Sequence, residues 1–312
     1  MENNSIKQQT GLIYQSISGF YYVWSQGESY TTKPRGNFRH QKTKPLVGDY
    51  VVFEIDELNK DSESRIIEIQ PRKNQLVRPS IANVDYAFIV MSLVEPDFSY
   101  NLLDYFLVSI EHQRIQSIII LSKYDLILAE KGLDEANNLI EAIRSIYQPI
   151  GYEVIVLDNT QAKIQSIIDG IKEGVCVVMG QSGVGKSTML NHLLPEAQIE
   201  TAEISDSLNR GRHTTREVTL YPLGKGFVAD TPGFSAIDFD DIEKEELADC
   251  FPEMRAVSHL CKFRSCQHLN EPNCAVKAGV ADGSISQSRY QNYEQIYAKI
   301  EQRKPIYNRK NS

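Results

Sequence analysis

Three textures along the chain predict a multi-domain protein: an N-terminal β-barrel of the OB type, a central α/β domain and a mainly α C-terminal region. Short β-rich runs with turn residues between them fill the first part. Strands then alternate with helices around a glycine-rich loop, the pattern of a largely parallel sheet covered on both faces. Four of the five cysteines fall beyond residue 241, and three of them gather near one histidine. The expected domains are 1–75, 76–240 and 241–312.

A chain of 312 residues has room for two or three such units. It opens on no charged-then-apolar leader and holds no uninterrupted apolar run of about 18 residues, so a cytoplasmic protein with no membrane partner is expected. Its net charge of −8 argues against non-specific nucleic-acid binding by the molecule as a whole. The stretch from Lys33 to Lys44 reverses that average locally, with five Lys/Arg and no acid. No internal repeat or low-complexity tract is present.

In the first region, 11–17, 20–25, 49–55 and 65–70 read as strands, with Ser18-Gly19 and Gly48 at turns. A five-stranded OB barrel fits them, and such barrels bind nucleic-acid strands on one face and its loops. The basic run fits a loop that offers cations to phosphates and the Phe38 ring to a base. A solvated lysine-rich loop fits its composition equally well. Tyr21, Tyr22 and Trp24 read either as a stacking face or as core.

In the central region, strands are expected at 86–93, 117–123 and 152–157, with helices at 102–112, 133–147 and 162–172. The apolar run 175–179 reads as a further strand. It feeds Gly180-Gln181-Ser182-Gly183-Val184-Gly185-Lys186-Ser187, a complete G-x-x-x-x-G-K-S phosphate loop, followed by Thr188 and a helical stretch. Backbone N–H groups of such a loop cradle phosphates at a helix N-terminus. Lys186 then reaches the β- and γ-phosphates, and the Ser187 hydroxyl ligates Mg²⁺. The chain is therefore expected to bind a nucleoside triphosphate.

Ser122-Lys123-Tyr124-Asp125 follows a strand end and resembles the N/T-K-x-D motif that selects guanine. Asp125 accepts from guanine N1 and its amine, which adenine cannot match, and Lys123 lays its stem along the base. Ser122 replaces the usual Asn or Thr. Asp230-Thr231-Pro232-Gly233 ends another strand in the D-T-P-G form, with Asp230 on Mg²⁺ through water and the Gly233 amide on the γ-phosphate. Between these motifs lies Gly211-Arg212-His213-Thr214-Thr215-Arg216, where Thr215 is the expected switch threonine on Mg²⁺. The polar segment 199–212 is expected to be mobile until GTP orders it. An ordinary GTPase runs phosphate loop first and base motif fourth. Here the base motif comes first, so the domain reads as circularly permuted, which surface termini tolerate. Asp158-Asn159 stands where a small S-A pair belongs in the fifth motif.

Cys261, Cys266, His268 and Cys274 give C-x4-C-x-H-x5-C, a Cys₃His set suited to tetrahedral Zn²⁺. A disulfide reading is disfavoured where thiols stay reduced. Cys176 and Cys250 read as core, Cys250 within a helix-like stretch at 242–250. A tyrosine-rich amphipathic helix is expected at 286–303.

Together these residues resemble the RsgA (YjeQ) family of circularly permuted GTPases. The resemblance rests on the barrel, the motif order, G-Q-S-G-V-G-K-S, G-R-H-T-T, D-T-P-G-F, the cysteine–histidine set with Glu271-Pro272-Asn273-Cys274, and Arg289-Tyr290. It implies late maturation of the small ribosomal subunit, rRNA binding, GTP hydrolysis to GDP stimulated by that subunit, and one bound zinc, in a monomer. Phe234 follows D-T-P-G where many GTPases carry a water-orienting Gln, so unaided hydrolysis is expected to be slow. His213 is either the residue that positions the attacking water or a contact residue, and Lys186 and Thr215 complete the catalytic set. The acidic connector 238–246 is expected to pass a pull on Gly233 to the zinc-bearing region. Two readings compete: a metabolic ATPase or kinase, opposed by Asp125, and an RNA-binding module whose nucleotide site serves only structural switching.

Overall fold

The structure, a computed structural model, describes residues 6–39, 44–56, 64–77, 79–158, 165–167, 173–194, 218–230 and 239–303. Five strands form the N-terminal unit: β1 (Ile6–Ile17), β2 (Phe20–Ser25), β3 (Glu28–Pro34), β4 (Tyr50–Asp56) and β5 (Ser64–Ile69). They run β1-β2-β3-β5-β4, and β4 returns to pair with β1, closing a barrel in the strand order of an OB fold. Ile13, Val23, Val51, Phe53 and Ile66 point inward and are fully buried. At Gly11 an added Cβ would sit 2.4 Å from Val23 Cγ1, so only glycine lets β1 cross β2 this closely.

The basic run behaves differently from its stacking reading. Phe38 packs against the barrel core, Arg35 pairs with Glu54 at 3.3 Å, and the Lys33 ammonium lies 4.2 Å from the centre of the Phe20 ring. Tyr21 is core. Trp24 is exposed, and with Tyr14 and Tyr22 it forms an aromatic group whose ring centres lie 6.2–6.5 Å from Tyr14.

The barrel's exit is tied down. The Arg72 guanidinium donates to both oxygens of the buried Asp49, each at 2.7 Å, and Asn83 Nδ2 donates to the Gly48 carbonyl at 2.9 Å. Two short strands, β6 (Gln75–Leu76) and β7 (Ile81–Ala82), complete the passage.

The central sheet contains β8 (Val84–Ser92), β9 (Gln116–Ser122), β10 (Glu153–Val156), β11 (Val175–Met179), β12 (Thr219–Leu223) and β13 (Gly226–Asp230). Its order is β10-β9-β8-β11-β13-β12, parallel except for β12. Alternate residues serve opposite faces, as the strand period requires. Ile89, Met91, Ile119, Leu121 and Val177 join a cluster with Phe106 of α1 (Tyr100–His112) and Ile143 of α2 (Tyr124–Tyr147). Phe88, Val90, Ile120, Cys176 and Val178 join Met189 and Leu190 of α3 (Lys186–Leu193). The helix α2 starts earlier than its periodicity indicates and breaks at Gly132, which sits at φ 81°. The helix expected at 162–172 lies largely outside the described residues.

Beyond β12 the sheet continues into the barrel, because Gln15 of β1 pairs with Thr219. The C-terminal region holds α4 (Pro252–Val257), α5 (Ala275–Asp282) and α6 (Gln287–Glu301). Its expected first helix is instead a series of turns ending in a 3-10 segment, Leu247–Cys250. The region packs on α1, whose Tyr105 and Val108 share its core with Phe251, Val276 and Tyr293.

Arg289 of α6 lies at the centre of that junction, 1% exposed. It grips Glu253 with Nε and Nη2 at 2.7 and 3.0 Å, and Asp104 of α1 with Nη1 at 2.6 Å. Tyr147 and Asn292 also donate to Asp104. Burial opposes the Arg289 charge, but the two carboxylates outweigh it and hold the guanidinium firmly protonated.

Candidate nucleotide site and metal centre

Three strand ends meet at one edge of the central sheet. The fully buried β11 delivers the phosphate loop, β9 delivers the base motif, and β13 ends at Asp230. Gly180 sits at φ 146°, and an added Cβ there would lie 2.3 Å from the Val90 carbonyl oxygen on β8. The loop can therefore leave β11 only because this position lacks a side chain. Gly183 and Gly185 also take left-handed backbone, at φ 81° and 92°. Gln181, Ser182 and Gly183 form an exposed apex, while Val184 turns inward and is 1% exposed.

Lys186 folds back across the loop, its Nζ donating to the carbonyls of Gly180 and Gln181, both at 2.7 Å. Ser187 is half-buried and Thr188 exposed, both in the first turn of α3. No side chain caps that helix, so its first amides face the loop as donors. This is a cradle of donors and one cation, and its chemistry fits a polyphosphate.

The base motif is bonded to this cradle. Ser122 is buried, and its Oγ lies 2.6 Å from the Val184 carbonyl oxygen and 3.3 Å from that of Met91. A hydroxyl has one proton to donate, and the shorter distance favours Val184. Lys123 takes left-handed backbone at φ 59°, and its ammonium donates to the Glu95 carbonyl. Tyr124 packs against the core, and Asp125 stands exposed in the first turn of α2. Leu157 donates its amide to Leu121 at 2.8 Å, which brings the exposed Asp158 toward the same edge. Asp230 ends β13 opposite Thr219. His213, Thr215, Gly233, Asn159 and the segment 199–212 lie outside the described residues.

The metal candidates converge in the C-terminal region. One ligand atom from each of Cys261, Cys266, His268 and Cys274 lies within 4.8 Å of the others. Zn–S bonds of about 2.3 Å and Zn–N bonds of about 2.0 Å place tetrahedral ligand atoms about 3.5–3.8 Å apart. Here Cys261 Sγ and Cys274 Sγ are 3.9 Å apart, and His268 Nδ1 lies 3.6 and 3.3 Å from them. The four residues fit one zinc ion.

The surroundings suit it too. Burial lowers the pKa of His268 below its ordinary value, against the opposing pull of Glu271 and Asp249. Its other nitrogen, Nε2, faces Ser258 Oγ at 3.2 Å, the outer partner that fixes a ligating imidazole. Amides of Ala275 and Lys277 donate to the sulfurs of Cys261 and Cys274. The hydroxyls of Tyr290 and Tyr293 donate to the carbonyls of His268 and Gln267, each at 2.6 Å, and the Glu271 carboxylate accepts the amides of Gln267 and Leu269. Sequence reading named Tyr290 only as part of Arg289-Tyr290 and passed over Ser258 and Tyr293, although a Y-x-x-Y step on one helical face was available as a signal.

Comparison with known proteins agrees with this arrangement. The family profile RsgA GTPase matches residues 69–240, and RsgA N-terminal domain matches 10–62. The small ribosomal subunit biogenesis GTPase RsgA of Enterococcus faecalis is 51% identical over 96% of this chain and 98% of its own length. RsgA 2 of Listeria innocua is 49% identical over 95% of this chain and 99% of its own. Among solved structures, YloQ, a circularly permuted GTPase, superimposes with a TM-score of 0.81 at 39% identity, covering 98% of this chain and all of its own. YjeQ from Thermotoga maritima gives 0.79 at 29% identity, covering 96% of this chain and all of its own. The chain belongs to the RsgA family.

Proposed function

We infer that this protein is a GTP hydrolase of small ribosomal subunit biogenesis, which binds guanine nucleotide at the edge formed by β11, β9 and β13. The observation that carries the reading is the bond from Ser122 to Val184. It fixes the base motif against the phosphate loop, so one ligand with both a base and a polyphosphate spans the two.

In this reading the amides of Gly183 to Lys186 and the start of α3 bind the phosphates. Lys186 exchanges its two carbonyl partners for the β- and γ-phosphates, and Ser187 ligates Mg²⁺. Asp125 accepts from the base, and Lys123, already tethered to Glu95, covers one face of it. Asp230, Thr215 and Gly233 take the Mg²⁺ and γ-phosphate side, and His213 positions water. Ser187, Thr215 and Asp230 would hold a bound Mg²⁺, which would neutralise phosphate charge.

Cys261, Cys266, His268 and Cys274 hold one zinc that shapes the loop carrying the exposed Leu260 and Phe263. The exposed Trp24 of the barrel, with the half-buried Tyr22 two residues before it on the same strand, rather than Phe38, is the ring open to ribosomal RNA. The limits 1–75, 76–240 and 241–312 are supported by the barrel's end at Ile69 and by a C-terminal core, which also takes in Phe239 and the α1 residues Tyr105 and Val108. No described helix is long and apolar enough to cross a membrane, and the proposed site of action is the cytoplasm.

The test is GTP turnover with and without small ribosomal subunits. Turnover should be slow alone and rise by an order of magnitude or more with subunits. Lys186→Ala should abolish it, and Asp125→Asn should lower GTP affinity about tenfold or more while sparing the fold. Equal GTP and ATP binding by the native chain would refute the guanine assignment.

A further inference from the structure

The β12–β13 hairpin ends at Asp230 and lies in sequence between Thr215 and Gly233, the three residues assigned above to the Mg²⁺ and γ-phosphate side. Its two faces look to different parts of the molecule. Val218, Leu220 and Ala229 share one buried cluster with Leu12, Ile13 and Val23 of the barrel and with Val177 and Phe106 of the central domain. Leu223 and Val228 belong to the cluster around α3, the helix that leaves the phosphate loop. At its open edge the hairpin pairs with β1: Gln15 faces Thr219, and Gln15 Nε2 donates to Thr219 Oγ1 at 3.4 Å. Thr219 in turn faces Asp230 across the hairpin. The bulge in β1 between Ile13 and Gln15 falls at this same point.

The C-terminal unit is attached elsewhere, on α1, through the desolvated carboxylates around Arg289. Among the described strands outside the central domain, only β1 pairs with the hairpin.

We propose that the barrel is the arm that reads the nucleotide state: displacement of β12–β13 between the GTP and GDP forms re-aims β1, while the C-terminal unit stays fixed to α1. The proposal rests on the nucleotide assignment above and differs from transmission through the 238–246 connector. A stiff hairpin with one face on the phosphate-loop helix and the other in the cluster that joins the barrel to the central sheet moves both packings together, because close-packed interiors transmit displacement rather than absorb it.

Amide hydrogen exchange on the full chain tests it, comparing GDP with a non-hydrolysable GTP analogue. Amides of β12 and of residues 12–22 should change protection by about threefold or more, and those of α6 should not. Gln15→Glu with Thr219→Glu sets two carboxylates face to face across the seam. That pair should remove the response of residues 12–22 while β12 still responds and basal turnover stays within about twofold of native. Gln15→Glu with Thr219→Lys should restore it. A response confined to β12, one that appears in α6 instead, or one that survives the paired glutamates would overturn the proposal. If neither nucleotide protects residues 180–188, the nucleotide assignment itself fails and the proposal falls with it.

Discussion

The barrel and the C-terminal unit hold the central domain by opposite means. Besides the ties at its exit, where Asn83 donates to Gly48 and Asn74 bonds Val84, the barrel meets the β12–β13 hairpin through a short continuation of sheet over a shared apolar cluster. The C-terminal seam buries an arginine with two carboxylates and backs them with Tyr147 and Asn292. A backbone pairing at a sheet edge can slide or part at small cost, since water satisfies the freed groups. A buried ion cluster has one arrangement that satisfies all members, and any other leaves a charge unpaired in a poor solvent. The β1–β12 pairing is thus a contact suited to movement, about an exit held by Asn83 and Asn74, while the Arg289 cluster is suited to staying put.

Perturbations should separate the two by size. Stripping zinc with a strong chelator should have the largest effect, because structural zinc sites carry on the order of 10 kcal/mol. Far-UV circular dichroism should record loss of α5 and α6, while nucleotide affinity stays within about twofold because the site lies across the sheet. Unchanged ellipticity in protein verified to be metal-free would mean the ion is not structural.

Next comes Arg289→Met, which strands Asp104 and Glu253 without their cation and should cost about 3–5 kcal/mol. Denaturant unfolding should then split into two transitions, the earlier one belonging to the C-terminal unit. Adding Asp104→Asn and Glu253→Gln should recover more than half of that loss; no recovery would mean that packing around the guanidinium, not its charge, holds the seam. Ser122→Ala lies outside both seams. Loss of its bond to Val184 should cost about 1 kcal/mol, weakening GTP and GDP alike by about fivefold in a titration. A selective loss of GTP would place Ser122 in sensing the γ-phosphate instead. Gln15→Ala should be smallest, at a few tenths of a kcal/mol in global stability. A multi-kcal/mol loss there would show the barrel seam to be as rigid as the other and end the contrast.

Sequence reading found what is local. The phosphate loop, β2 and β11 were legible because each is a contiguous pattern of glycine spacing or apolar run. The strand β12 was not, since Pro222 sits in its middle and argues against a strand. Pro222 is tolerated because β1 pairs with β12 only at Thr219. Nor was β3, whose only fully buried residue is Thr32. It forms an outer wall of the barrel and carries no apolar alternation. Phe38 misled for the converse reason: a ring in a basic run looked free, and tertiary packing claimed it. In the site, the cysteine–histidine set and the base motif were legible as short spacings. The bond that joins Ser122 to Val184 spans 62 residues, and that of Arg289 to Asp104 spans 185, so no window of sequence contains either.

The seam between Gln15 and Thr219 also has a history in time. The two residues are 204 positions apart. At about 5–20 residues per second, a ribosome making this chain releases Gln15 roughly 10–40 s before Thr219. All the strand pairings that close the barrel lie within the first 69 residues. The barrel is therefore complete, with the exposed Trp24 already presented, before the hairpin that would control it has been synthesised.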